Sequence, residues 1–311
     1  MIDLIETQQD FLKTLEKSGK SFNTVKNYRA DLQVFNKFLT QHQGPLKLKN
    51  FTVTQVQEYA GHLERLYPSS NSIRRRVQAL RLYFDFLVQK HQFPDNPIKL
   101  VPVAPKVLEK PTPPSYAEVL KTVAHLVERA QQSAGLERLC LTRNLVMVGL
   151  IYETGIKVSD LARLELSDLL PDKKGARVLV RPPKRDPYSV PISAPLRDFV
   201  SRYRKELREL WPEDTEPRYL LFNANPHRIL SGTLSPRGIE MVFEELRRQL
   251  KLEMTARTLR QAAVLRWMLQ GHDASQVREW LGVAPDYDMG LFQQVFNDAS
   301  NPPVYSELTY V

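Results

Sequence analysis

The sequence predicts a mainly α-helical protein with one small β-sheet, divided into two domains. Three observations carry that expectation. Apolar residues step by three and four through the first hundred positions, prolines crowd residues 97–114, and two β-branched runs flank a proline-containing turn near residues 176–192. A chain of 311 residues is also long enough for roughly two domains, each with its own core. The expected boundaries are 1–100 for a helical domain, 101–114 for a linker and 115–311 for a mixed domain.

Each element follows in order. Phe11 and Leu15 mark a first helix. Val25, Tyr28, Leu32, Phe35 and Leu39 form the stripe of a second, and Val56, Ala60 and Leu63 that of a third. A fourth carries Ile73, Val77, Leu80, Phe84 and Leu87, so four helices turn one apolar face each to a shared core. Phe93-Pro94-Asp95-Asn96-Pro97 ends that domain. Prolines at 97, 102, 105, 111, 113 and 114 each remove an amide donor, which predicts an extended linker. Ser115 can cap a helix bearing Leu120, Val123 and Leu126, and residues 141–152 predict a buried helix stopped at Thr154-Gly155. Residues 176–181 and 188–192 predict two strands, with 219–223 as a third. Ser235-Pro236 supplies an N-cap and a first-turn proline for a helix carrying Ile239, Phe243, Leu246 and Leu250. Two further helices end at Gly271 and Gly282, and no internal repeat is visible.

Composition excludes several classes. Cys140 is the single cysteine, so no intramolecular disulfide forms, and the six histidines (42, 62, 91, 125, 227 and 272) give no Cys/His metal spacing. No metal or cofactor is expected. The longest apolar run, 145–152, is far short of the roughly 20 residues that span a bilayer, and residues 1–10 lack a signal-peptide pattern. A cytoplasmic, nucleoid-associated protein is the expectation. Lys and Arg number 44 against 35 Asp and Glu, a net charge of +9, of which residues 1–105 contribute +6 from 15 cations and 9 acids. A basic N-terminal third suits a polyanion, most often nucleic acid.

Motifs then add a resemblance. Residues 24–39, the run Ser72-Ile73-Arg74-Arg75-Arg76-Val77-Gln78-Ala79-Leu80-Arg81 and the closing Asn96-Pro97 resemble the core-binding domain of the phage-integrase/Xer-type tyrosine recombinases. Residues 152–161, from Tyr152-Glu153-Thr154-Gly155 through Lys157 to Leu161, are similar to that family's first active-site box. Thr255 through Thr258-Leu259-Arg260-Gln261 resembles its second box, and Leu281-Gly282 the segment before its nucleophile. The likeness is collinear over about residues 5–300.

The resemblance implies a DNA-cutting tyrosine, with cations and histidines to stabilise a pentavalent phosphoryl group. Position by position, this chain departs from it. Lys157 replaces the first-box arginine, keeping charge but losing the fork that grips two phosphate oxygens. Lys184 is the candidate for the hairpin lysine, with the register open by a residue because Pro182-Pro183 replaces a glycine-rich turn. Arg257 replaces a histidine, Arg260 keeps the arginine, Gln261 replaces the next histidine, and Val283 stands where histidine or tryptophan is expected. Phe292 falls at, or within a residue of, the nucleophile.

Cations therefore persist where acid/base groups and the attacking hydroxyl do not. The expectation is a double-stranded-DNA-binding protein of this fold that clamps duplex DNA without cutting it, with Lys26, Arg74, Arg75, Arg76, Arg81, Lys157, Lys184, Arg257 and Arg260 as DNA contacts. Bland alternatives stand beside it: a solvated helix face for the arginines of 74–81, a core position for Tyr28, a buried ion pair for Lys157 and Arg260, a surface role for Arg257, and core packing for Phe292. Two rival functions remain. One is an active recombinase with a nucleophile from Tyr287 or the tail. The other is a non-catalytic partner of a recombinase, or a homo-oligomer on DNA, docking through the tail at 297–311.

Overall fold

The computed structural model describes residues 2–43, 47–48, 52–91, 93–100, 108–172, 175–183, 185–211, 216–224, 230–298, 300 and 302–310. The chain divides into two compact units, Met1–Glu109 and Lys110–Val311.

In the first unit a two-residue strand, β1 (Ile2–Asp3), pairs antiparallel with β2 (Lys47–Leu48). Asp3 then caps α1 (Leu4–Lys17), its carboxylate accepting from the amides of Ile5 and Glu6. Three more helices follow: α2 (Phe22–Gln43), α3 (Val53–Leu66) and α4 (Ser70–His91). Thr52 and Gln55 start α3 with a reciprocal capping box. The stripes at Leu32, Phe35 and Leu39 and at Leu80, Phe84 and Leu87 are buried together with Phe11 and Leu63 in one core. Full burial of such side chains stabilises by about 1.5–3 kcal/mol each. Inside it the hydroxyls of Thr7 and Tyr83 satisfy one another at 2.7 Å. After α4, Asn96 donates to the Arg81 carbonyl and to Asp85 and accepts from the Ile98 amide, folding a 3₁₀ turn at Pro97–Leu100 back on the helix.

Residues 101–107 of the expected linker lie outside the described residues, and 108–115 has no regular secondary structure. In the second unit α5 (Tyr116–Gln132) begins with a Ser115/Glu118 capping box and packs on α6 (Gly135–Thr154). Buried residues line nearly every side of α6 from Leu145 onward, as expected of a central helix. A four-residue helix, α7 (Val158–Leu161), leads to the sheet β3 (Leu169–Asp172), β4 (Gly175–Val180) and β5 (Tyr188–Ile192), antiparallel in the order β3-β4-β5.

The third strand of this sheet is therefore not 219–223. Among the described residues that segment makes one bridge, Tyr219 to Glu165, while the Leu220 amide donates to the Leu164 carbonyl and the Leu221 carbonyl accepts from the Leu234 amide. Leu220, Leu221 and Phe222 are fully buried, so an apolar run suited to a strand is here consumed by packing. Its end, β6 (Asn223–Ala224), pairs with β7 (Leu230–Ser231) and, among the described residues, with no strand of the three-stranded sheet. Pro171 is tolerated in β3 because that strand is an edge.

Between the sheet and this segment lies α8 (Ala194–Leu210), capped by Ser193, a helix absent from the sequence expectation. Then come α9 (Pro236–Leu250), α10 (Ala256–Leu269), α11 (Ala274–Leu281) and a short α12 (Gly290–Phe296), also unanticipated. The final segment returns across its own unit. Tyr305 donates to the Pro114 carbonyl, Tyr152 to the Ser306 carbonyl and Tyr116 to the Glu307 carbonyl, while Leu308 and Tyr310 are buried. In the single chain the tail is thus seated on its own α5, α6 and α8 surface, where Tyr310 stacks on Phe199.

Candidate functional site

The site in the second unit is assembled by helix ends. Gly155 closes α6 in the left-handed region at φ 56°, where a side chain would also meet Trp267 at 3.0 Å. The chain can therefore turn sharply and present Lys157 at the N-cap of α7. Thr255 caps α10 through a reciprocal bond with Thr258, which fixes Arg257 and Arg260 one turn apart on that helix.

Arg260 is largely buried, and its guanidinium is held by backbone. Its Nε donates to the Gly155 carbonyl at 2.5 Å and its Nη2 to the Leu281 carbonyl at 2.7 Å, so one side chain joins the C-termini of α6 and α11. The next carbonyl, Gly282, accepts from the guanidinium of Arg185 in the β4–β5 turn. Tyr188, at the start of β5, packs so closely on Gly282 that a Cβ there would lie 2.5 Å from its ring and hydroxyl. Burial pushes the Tyr188 hydroxyl up to about 12 against the pull of Arg260 and Arg185. Burial also pushes the Lys157 ammonium down, with Arg260 and Arg185 adding like-charge repulsion. The result is a concentrated positive field around a few polar side chains.

Lys157, Arg257 and Arg260 line one cavity of about 370 Å³, joined by Arg247, Glu240 and Glu244. Four cations face two carboxylates, which leaves two positive charges in excess. Glu244 is bound by Arg237 at 2.8 Å. No histidine lines the cavity among the described residues. The arrangement can attract a phosphate, and it offers no neutral imidazole to pass a proton.

The remaining family-motif positions have other occupations. Lys184 lies outside the described residues. Gln261 accepts from the Thr112 amide at 2.9 Å and so fastens the segment before α5. Val283 is half-buried, and its amide bonds the Arg278 carbonyl at the end of α11. Phe292 is 7% exposed in an apolar cluster with Trp267, Trp280 and Met289. Tyr287 is 41% exposed, and its backbone carbonyl accepts from Arg278. Both Tyr287 and Tyr188 act electrostatically on Arg260, opposing the effect of its burial. Arg185, Tyr188, Arg247 and the two glutamates were absent from the sequence expectation. Arg185 had a signal, since it adjoins Lys184 in a turn of open register.

In the first unit the arginines of α4 are engaged in the fold. Arg75 pairs with buried Asp31 of α2 at 2.5 Å. Arg76 approaches the other oxygen of that carboxylate at 3.8 Å, and its guanidinium lies 3.5 Å from the Tyr67 ring centroid. Arg81 donates to the Ile98 carbonyl, and Arg74 is half-buried. Burial raises the Asp31 carboxyl despite both arginines. Lys26, by contrast, stands exposed on α2.

Fold and site together define a class, the two-unit integrase fold. Along one crystallised chain of a lambda integrase dimer bound to a core site the TM-score is 0.69 at 17% identity, covering 94% of this chain and 77% of that one. A Tn1549 transposon integrase complexed with circular-intermediate DNA gives 0.63 at 14%, covering 98% and 96%. The model for the phage integrase N-terminal SAM-like domain matches residues 9–91, and that for the phage integrase family matches 120–285. The chain belongs to the phage integrase family. Among curated relatives, "Tyrosine recombinase XerC" of Staphylococcus carnosus is 28% identical over 295 residues, and that of Staphylococcus haemolyticus is 25% identical over 295, each alignment covering more than nine-tenths of both chains.

Proposed function

We propose that this protein binds duplex DNA through phosphate contacts and does not cleave it. The observation that carries the reading is the position of Phe292, which falls at, or within a residue of, the family's nucleophile, is packed in an apolar cluster and has no hydroxyl to attack with. Two features support it. The cavity at Lys157, Arg257 and Arg260 holds excess positive charge without a histidine, and the guanidinium of Arg260 is already committed to two backbone carbonyls. Affinity for DNA should then fall steeply with salt, as phosphate neutralisation requires. The neighbours crystallised as integrase–DNA complexes and as a dimer make assembly of several copies on DNA part of the same proposal.

A second reading keeps cleavage alive through Tyr287, which is exposed and acts on the charge of Arg260. One experiment separates the two. Nicked suicide duplexes, selected from a random pool by the protein itself, are incubated with wild type and Tyr287→Phe and run on a denaturing gel. No covalent adduct is expected with either protein. An adduct in the wild type that vanishes in Tyr287→Phe would establish the second reading.

A further inference from the structure

His42 and His62 lie on different helices, twenty positions apart, so their meeting is invisible in the spacing of the sequence. In the structure the last turn of α2 sets His42 beside α3, and the two imidazole centroids are 6.5 Å apart with the rings at 84°. Both rings rest on one buried aromatic platform. Phe38 contacts His42 at 4.2 Å and His62 at 5.3 Å, and Tyr59 stacks on His62 at 6.4 Å. The tautomer of His42 is settled by its partner. Its Nδ1 lies 2.8 Å from the Phe38 carbonyl, which can only accept, so Nδ1 carries the proton and Nε2 keeps its lone pair. A backbone carbonyl on the other ring nitrogen is the usual orienting contact of a metal-bound histidine. Among the described residues no hydrogen bond occupies either ring nitrogen of His62. His42 is exposed and His62 half-buried, which leaves the pair within reach of solvent.

We propose that His42 and His62 form a two-imidazole site for a divalent transition-metal ion, Cu(II) above the others, which fastens the last turn of α2 to α3. The proposal is independent of the DNA-binding reading. Two imidazoles bound trans to one ion at about 2.0 Å have centroids roughly 6.3 Å apart, whereas a tetrahedral pair has them roughly 5 Å apart. The observed spacing therefore suits opposite corners of a tetragonal field, the arrangement that Cu(II) and Ni(II) favour over Zn(II). No third His, Cys, Asp or Glu completes the set among the described residues, so water fills the remaining positions and two ligands set the affinity. Hard ions such as Mg(II) prefer oxygen and gain nothing from this pair. An ion that grips two helices of the folded unit at once stabilises that unit by mass action.

The test uses the untagged full chain, stripped with a chelator, in a mildly alkaline buffer so that imidazole is neutral. Calorimetric titration should show a single equivalent of Cu(II), and the melting temperature should rise with Cu(II), less with Ni(II) or Zn(II), and not with Mg(II). His42→Ala and His62→Gln should each weaken Cu(II) binding by at least about tenfold, since even outer-shell partners of a metal are worth that much. The electron paramagnetic resonance spectrum of the Cu(II)-loaded wild type should show coupling to two imidazole nitrogens, reduced to one in either variant. His91→Ala, in the same unit but packed on Phe86, should bind as the wild type does. If His62→Gln lowers the metal-free melting temperature, His42→Ala, at an exposed position, decides the matter through the same spectrum. Equal Cu(II) affinity in the wild type and in the double variant, or coupling to a single nitrogen in the wild type, overturns the proposal. A larger melting shift with Zn(II) than with Cu(II) overturns it as well.

Discussion

Lys157 illustrates what the pocket costs the protein. Its ammonium is partly desolvated and repelled by Arg260 and Arg185, so its pKa lies below the usual lysine value. A group held this way opposes folding in its charged form, which is tolerable where the charge serves a ligand. Lys157→Met should therefore melt at or above the wild-type temperature while binding duplex DNA more weakly, measured by thermal unfolding beside a titration. A melting temperature well below wild type would mean that Lys157 is structural. Phe292 gives the converse case. Phe292→Tyr places a hydroxyl in an apolar cluster, and unless the hydroxyl finds a partner it should destabilise by about 1–3 kcal/mol. It should form no DNA adduct, because no histidine lines the cavity among the described residues to carry a proton. Replacement of the motif residues was legible in sequence as a pattern of retained charge. The tethering of Arg260 to Gly155 and Leu281 was not, since it joins positions 105 and 21 residues apart and spacing along one helix carries no information about them.

Among the elements, α2 and α4 are joined by charges that their compositions do not reveal. The run Arg74-Arg75-Arg76 looks like a solvent-facing cationic row, yet Arg75 and Arg76 surround Asp31, a residue 44 positions earlier than Arg75. An apolar stripe shows which face of a helix is inward and does not reveal a carboxylate waiting on its neighbour. The structure makes Asp31→Ala a stability variant: Arg76, with 12% of its side chain exposed, loses the charge that compensates it, and a loss of about 3–5 kcal/mol is expected in denaturant unfolding. Lys26→Ala should stay within about 0.5 kcal/mol of wild type. Similar small losses for both would show that the Asp31 cluster is not a structural pair. The second and fourth helices of the first unit were plain because each repeats its apolar step several times, while the first and third rested on one or two steps. Helix α8 carried comparable signals, a Ser193 cap, Pro195 in the first turn and a stripe at Leu196, Phe199, Tyr203 and Leu207, though eight charged residues within it dilute the pattern. The sheet was the weaker case, because the buried run 220–222 has strand composition without strand partners.

At the scale of the whole chain, the tail ties the last residues to the middle of the second unit, and Glu153 is where they meet. Its carboxylate accepts from the Ser193 amide at 2.7 Å, the Ser193 hydroxyl at 2.8 Å and the Tyr310 hydroxyl at 3.3 Å, so one buried side chain joins α6, the start of α8 and the tail. Burial raises its pKa above 4.5, and the bonds from Ser193, the charge of Arg266 and the bond from Tyr310 only partly oppose that rise. The sign of the pH effect follows. A carboxyl whose folded pKa exceeds its unfolded value favours the fold when protonated, so its contribution is complete below about 4.5 and is lost as pH rises through the folded value. Glu153→Gln is neutral at every pH and lacks this dependence. Between pH 8 and pH 5 the wild type should gain stability relative to Glu153→Gln, read as the difference of their urea midpoints at each pH. Because Tyr310 shares the carboxylate, Tyr310→Phe should alter the same difference, and a variant lacking residues 302–311 should alter it further. A midpoint difference that stays constant across that range would place the Glu153 carboxyl in solvent contact and separate the tail from the stability of α6.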